Sequence, residues 1–248
     1  VNTPTVGLGT ASGRVEAAAP HPTDAGTMYL AANGGGVWKT GVWPDADDTV
    51  WLPLGDDEGS LNLAGYHPLV VHPADHSRLL GVVSGTGAGV LKSTNNGLSW
   101  QLLGNSVFEG ANIGSIAVHP IHKKILYVSV WSGGSGGGVY QSTDGGLNWR
   151  NLTPFHSGAA TDVIIARYNP DVLYAGLVGN PDTNGVWRSG DGGQNWRNVG
   201  PLSDFFVGGA VRLESGSSQG RVYVSLFGYS ANSGSSDYAF GILRYRTN

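Results

Sequence analysis

Three stretches of the chain repeat one another: Gly89-Val90-Leu91-Lys92-Ser93-Thr94-Asn95-Asn96-Gly97-Leu98-Ser99-Trp100, Gly138 to Trp149 (GVYQSTDGGLNW) and Gly185 to Trp196 (GVWRSGDGGQNW). The first two tryptophans lie 49 residues apart and the next two 47. Counting back another 49 residues from Trp100 reaches Trp51. Upstream of it, Gly36-Val37-Trp38-Lys39-Thr40 repeats the opening of the unit, with Pro44-Asp45-Ala46-Asp47-Asp48 where the tight turn stands in the other copies. Near the C-terminus, Gly241-Ile242-Leu243-Arg244 opens the unit once more. A fixed period of this length marks a repeat architecture.

Each unit reads as four short strands. In the third, Ile113 to His119 alternates, Ile125 to Trp131 is β-branched and aromatic, and strands over Gly138–Ser142 and Leu147–Leu152 follow. Gly, Asn and Asp turns separate them. No stretch shows a helical apolar period. Four strands in 47 to 49 residues select an all-β propeller of four-stranded blades. Second strands are expected at Met28–Ala32, Leu79–Val83, Ile125–Val130, Val172–Leu177 and Val222–Leu226, which makes five blades. The blades run over about 14–55, 63–104, 112–153, 160–200 and 208–248 in one domain. Residues 1–9, through Thr5-Val6-Gly7-Leu8-Gly9, are expected to supply the fourth strand of the last blade and so remove both sheet edges. A fragment of a six- or seven-bladed ring is the alternative.

The turn in each repeat follows Ser-x-Asp-x-Gly-x-x-Trp: Ser142, Asp144 and Trp149, then Ser189, Asp191 and Trp196, with Ser93, Asn95 and Trp100 as the Asn version. Asp or Asn folds back to accept backbone N–H groups. Gly supplies positive φ, and Trp buries a large ring between blades. This is structural chemistry. The pattern is the Asp-box, and the chain resembles the Asp-box (BNR) superfamily of sialidases, family 74 xyloglucanases, sortilin-type receptors and a photosystem assembly factor. It most resembles the N-terminal propeller of family 74 xyloglucanases and bacterial relatives of unknown role. That resemblance runs from Gly13-Arg14-Val15 through Asn33-Gly34-Gly35-Gly36-Val37-Trp38-Lys39 and Trp51-Leu52-Pro53-Leu54-Gly55-Asp56-Asp57 to about Pro154. It implies a catalytic Asp before the Gly-Gly pair of the first blade, where this chain has Asn33. The family's second catalytic Asp lies in a second propeller with no counterpart here. The sialidase Arg-Ile-Pro motif is absent as well.

Composition narrows the partners. Charged residues are 13% of 248, with net charge −4, which gives no electrostatic case for nucleic acid. No apolar run reaches the ~18 residues of a membrane span. Cysteine is absent, which removes disulfides, thiolate metal sites and a thiol nucleophile. No cofactor and no metal are called for. Only Lys39, Lys92, Lys123 and Lys124 are lysines, against 41 glycines. This balance fits an exported, cell-surface protein whose signal peptide is not in this chain: Val1-Asn2-Thr3-Pro4 has neither a charged n-region nor an apolar h-region.

His21-Pro22, His72-Pro73, His119-Pro120 and Asn169-Pro170 all end the first strand of a blade, so these histidines are read as turn residues on different blades. His67 and His156 lie outside that pattern and read as solvated loop residues. The acidic run of Asp45, Asp47, Asp48, Asp56, Asp57 and Glu58 reads as a solvated loop. The second-to-third and fourth-to-first loops share the ligand face of a propeller. On them lie the ligand-face candidates Asn33, Asp56, Asp57, Phe108, Trp131, Phe155, Asp204 and Phe205. Rings beside amides and carboxylates suit sugar stacking; their other role is to cover the core. The reading is therefore a non-catalytic binding or scaffold propeller that takes a carbohydrate or protein ligand on its loop face. The alternative is a xyloglucanase- or sialidase-like glycoside hydrolase, with Asp56 or Asp57 and Asp204 as the first pair to test.

Overall fold

The computed structural model describes residues 14–41, 50–54, 63, 65, 67–133, 136–154, 158–179, 184–201, 207–215, 221–229 and 238–246; of the strands after residue 200, side chains are described only for 211–215 and 222–225. The strands form an all-β propeller. The first blade contains β1 (Val15–Pro20), β2 (Met28–Ala32), β3 (Gly36–Thr40) and β4 (Leu52–Leu54). The second has β5 (Leu69–Val71), β6 (Leu79–Val83), β7 (Gly89–Ser93) and β8 (Gln101–Leu103). A single helical turn, α1 (Asn105–Phe108), leads into the third blade: β9 (Asn112–Val118), β10 (Leu126–Ser132), β11 (Gly138–Ser142) and β12 (Arg150–Asn151). The fourth comprises β13 (Ala159–Ile165), β14 (Leu173–Val178), β15 (Gly185–Ser189) and β16 (Arg197–Pro201). The fifth shows β17 (Val207–Ser215), β18 (Arg221–Tyr229) and β19 (Tyr238–Arg246).

Every blade is an antiparallel meander in chain order, with four strands in the first four and three described strands in the fifth. The second strands fall where the repeat puts them, within a residue or two at their starts. The expected closing strand, Thr5–Gly9, lies outside the described residues.

Alternation explains how the blades stack. Along β10, Leu126, Val128 and Val130 join the core between the second and third blades, whereas Tyr127 joins the core between the third and fourth. Successive strand side chains point to opposite faces, and here both faces are covered. The same device builds the seam between the first and second blades around Tyr29, Leu54, Leu69 and Leu79, and the seam between the fourth and fifth around Tyr174, Val211 and Val224. Hydroxyls near the axis stitch the seams together. Ser84 Oγ accepts the Ile113 N–H at 2.9 Å and donates to its C=O at 3.2 Å. Ser115 Oγ accepts the Val163 N–H at 3.0 Å. Thr161 Oγ1 accepts the Val211 N–H at 3.0 Å and donates to its C=O at 2.8 Å.

The repeated turn does the work its residues predict. Ser142 Oγ accepts the Gly146 N–H at 2.8 Å and donates to Asp144 Oδ1 at 2.8 Å. Asp144 Oδ1 also accepts the N–H groups of Leu147 and Asn148, each at 3.0 Å. Ser93 and Asn95, and Ser189 and Asp191, repeat the pattern. Trp149 and Trp196 each donate Nε1–H to the Gly three residues back, at 3.0 Å. Trp100 is buried, while Trp51, Trp149 and Trp196 are half-buried; the Trp149 and Trp196 rings pack against the rims of their seams' cores.

The His-Pro corners are turns too. Nδ1 of His21, His72 and His119 accepts N–H groups from Asp24, Ala74 and His122 at 3.0, 3.1 and 3.0 Å, and Asn169 Oδ1 accepts from Asp171 at 3.0 Å.

Candidate functional site

The innermost strands β1, β5, β9, β13 and β17 surround a channel of about 410 Å³, lined by Leu69, Ile116 and Val163 together with His67, Arg167 and Glu214. Toward the end where these strands begin lies a second cavity of about 410 Å³. Arg14 and Glu16 of the first blade, Asn33, Gly65 and Ser84, Asn112 to Gly114, Trp131 and Ser132, and Arg212 line it. These come from the loops between second and third strands and from the entries to first strands.

Local chemistry presents each group. β10 is buried for five residues and outruns β11 after Val130; its pairing with β9 shifts register between Val130 and Ser132, and this irregularity places Trp131 and Ser132 at the mouth. Trp131 is 39% exposed, a large open ring on a rigid strand. Asn112 Nδ2 donates to Ser132 Oγ at 2.9 Å. Asn33 sits at the β2–β3 turn, where Gly34 and Gly36 take φ of 69° and 73°. Its Nδ2 donates to Glu16 Oε1 at 3.3 Å, and Arg14 donates Nε and Nη2 to the same oxygen at 3.1 and 2.8 Å. Glu16 is thus a shielded carboxylate, its side chain 10% exposed. No other carboxylate occurs among the described lining residues.

Beside the channel, His67 reaches across the ring. Its C=O accepts the Ile116 N–H at 3.2 Å, and Nδ1 lies 3.4 Å from Asp162 Oδ1. Asp162 is fully buried, and its Oδ2 accepts the Leu213 N–H at 2.8 Å. The hydrogen bond to Asp162 raises the imidazole pKa above its ordinary value, against the opposing effect of burial. One residue pair therefore joins the second, third, fourth and fifth blades. The His67 side chain is 44% exposed, so the expected solvated loop histidine holds in part: the ring meets solvent and also ties blades together.

The sequence candidates divide three ways. Asn33 and Trp131 meet in the mouth cavity. Phe108 does not: α1 turns its ring into the seam of the second and third blades, 1% exposed, edge-on to Tyr140 and Trp149 at 5.4 and 5.2 Å between centroids. Phe108 covers core, the other role open to these rings. Asp56, Asp57, Phe155, Asp204 and Phe205 lie outside the described residues. Glu16, Ser84, Asn112 and Arg212 were not singled out in the sequence. The signal was positional, since each stands at the mouth end of a strand or on an innermost strand. A larger groove, about 750 Å³, runs along the outer seam between the third and fourth blades. Its rings Trp187 and Trp196 pack on that seam's core, so it reads as blade packing.

No protein-family model matches the chain, and no curated protein matches it. Solved structures do. The GH74 xyloglucanase from Xanthomonas campestris is 21% identical with a TM-score of 0.63, over 94% of this chain and 36% of that one. An ancestral GH74 enzyme is 20% identical with a TM-score of 0.58, over 92% and 31%. YCF48 from Cyanidioschyzon merolae is 13% identical with a TM-score of 0.52, over 92% and 72%. The chain spans about a third of the length of the two GH74 enzymes. At these identities the likeness is one of fold: a β-propeller similar to those found in the GH74 xyloglucanases and in YCF48.

Proposed function

We propose that the chain is a non-catalytic binding propeller of the Asp-box type, exported or displayed at the cell surface, which takes a carbohydrate at the channel mouth. The observation behind this reading is the pairing of the open Trp131 ring with the amide and hydroxyl groups of Asn33, Asn112, Ser84 and Ser132 around one cavity. A sugar offers an apolar face for stacking and a rim of hydroxyls for hydrogen bonds. The described lining supplies both, and its one carboxylate, Glu16, is engaged by Arg14 and Asn33.

Hydrolysis needs more. Glycosidases normally work with two facing carboxyl groups about 5–9.5 Å apart. Asn33 stands where the family 74 resemblance implies a catalytic Asp, and a carboxamide neither takes nor gives a proton near neutral pH. Glu16 spends one oxygen on Arg14 and Asn33. The partner carboxylate would have to come from elsewhere.

A glycan array probed with the purified chain tests the binding reading, with bound sugars expected and an empty array counting against it. Incubation with xyloglucan oligosaccharides at high protein concentration tests the absence of catalysis. Reducing ends should stay at the level of a heat-killed control. Turnover that disappears in Asp56→Asn or Asp57→Asn would favour the hydrolase.

A further inference from the structure

The face opposite the mouth carries the first-to-second-strand corners and the repeated Ser-x-Asp/Asn turns. One backbone bond ties these two features within a blade: Gly145 N–H donates to Lys124 C=O at 2.9 Å, as Asn96 does to Ser77 and Gly192 to Asp171. Three of the chain's four lysines gather there, at the seam of the second and third blades. Lys92 Nζ donates to Gly145 C=O at 3.4 Å, and Arg78 Nη1 donates to Lys123 C=O at 3.1 Å. Arg78 and Lys123 each lie 3.4 Å from Asp75 Oδ2, which leaves that carboxylate neutralised. Lys123 and Lys124 are exposed. The second nearby carboxylate, Asp144, is engaged within its own turn by Asn148 at 2.7 Å. Four cations thus stand against two committed anions.

Apolar tips project from the same ground. Ile121, two residues before Lys123, is 66% exposed, and Leu147, two residues after Gly145, is 65% exposed. Leu98 holds the position of Leu147 one blade earlier and is 73% exposed. These side chains stand exposed on turns, and none of them lines a described cavity. A folded partner or a peptide gains affinity from concave pockets or a free sheet edge. Exposed apolar tips with lysines beside them match a surface that yields around them, with anionic headgroups outside and acyl chains beneath.

We propose that this face docks the propeller on an anionic lipid surface, with the exposed Lys123 and Lys124 meeting headgroups, the half-buried Lys92 and Arg78 adding positive charge behind them, and Ile121 and Leu147 entering the interface. The mouth on the opposite face then points away from the membrane and stays open to ligand. Lys92 is held below its ordinary pKa, first by burial and then by repulsion from Arg78 and Lys124. Shallow docking of this kind needs no membrane-spanning segment.

The test is co-sedimentation of the whole chain with vesicles of phosphatidylcholine alone and of phosphatidylcholine with equal phosphatidylglycerol. Binding is expected on the mixed vesicles, absent on the neutral ones, and weakened by salt. Lys123→Ala and Lys124→Ala should each cost about fivefold in partition. Leu147→Gln, which copies Gln194 of the next blade, combined with Ile121→Asn, should also reduce binding severalfold while the melting temperature holds. Failure of the unaltered chain to bind mixed vesicles would overturn the proposal. So would binding that needs the lysines but ignores the apolar pair, because that marks a general polyanion surface such as an acidic protein presents.

Discussion

Gly146 shows how closely one residue is constrained. Its φ is 100°, and a Cβ placed there would lie 2.9 Å from Leu103 Cδ1 of the preceding blade. Gly97 stands in the same relation to Leu54, and Gly193 to Leu152. Gly146→Ala should therefore destabilise the fold by about 2–4 kcal/mol, from left-handed strain and overpacking together. Denaturant unfolding checks this; a change near zero would mean the turn does not seat against its neighbour. Ser142→Ala leaves the Gly146 N–H without its buried acceptor and should cost about 1–3 kcal/mol. These roles were legible in the sequence because turn chemistry is local: Ser, Asp and Gly fold back on one another within five residues. Phe108 and His67 were not legible. Their partners come from another blade, and no spacing within one repeat announces them.

At the scale of elements, the first-strand corners carry a pH dependence. The imidazole of His72 is fully enclosed, and burial, aided by nearby Arg78, pushes its pKa down to about 4. Unfolded, it would titrate near 6.5. Between those values the unfolded chain binds more protons, so stability is full above pH ~6.5 and falls as the pH drops toward ~4. His72→Asn keeps a turn acceptor, as Asn169 does in the fourth blade. The variant should flatten the stability profile in that window by about 2–4 kcal/mol relative to the unaltered chain. Equal slopes for the two proteins would remove His72 as the cause. The stitches between blades make a second case. Thr161→Val keeps the shape but leaves the Val211 N–H unpaired, and should cost about 1–3 kcal/mol with faster amide exchange at Val211. Strand positions were readable from the 47 to 49 residue period. The stitches were not, since a buried Ser or Thr on a strand looks like any other until the neighbouring blade is in place.

The whole molecule is a set of blades drawn around one axis, and His67 with Asp162 is its cross-tie. Its contribution is present below pH ~6.5 and is lost as the pH rises through the raised pKa of the folded state. NMR titration should find His67 above its ordinary value, and Asp162→Asn should bring it down; an unmoved titration would break the link. Glu214, which raises the His67 pKa, and Arg212, which lowers it, are the other charges acting on that ring. The mouth was half legible for a related reason. Trp131 and Asn33 could be assigned to loops by counting strands, whereas Glu16, Asn112 and Arg212 needed the channel itself to bring them together. The claim on which the functional account rests is that this mouth binds sugar through Trp131. The direct measurement compares the chain and Trp131→Ala, first for matched melting temperatures and then for affinity toward whichever oligosaccharide the array identifies. The account predicts affinity lower by about 10- to 100-fold in the variant, with no reducing ends released by either protein. Unchanged affinity in a folded Trp131→Ala protein would contradict it.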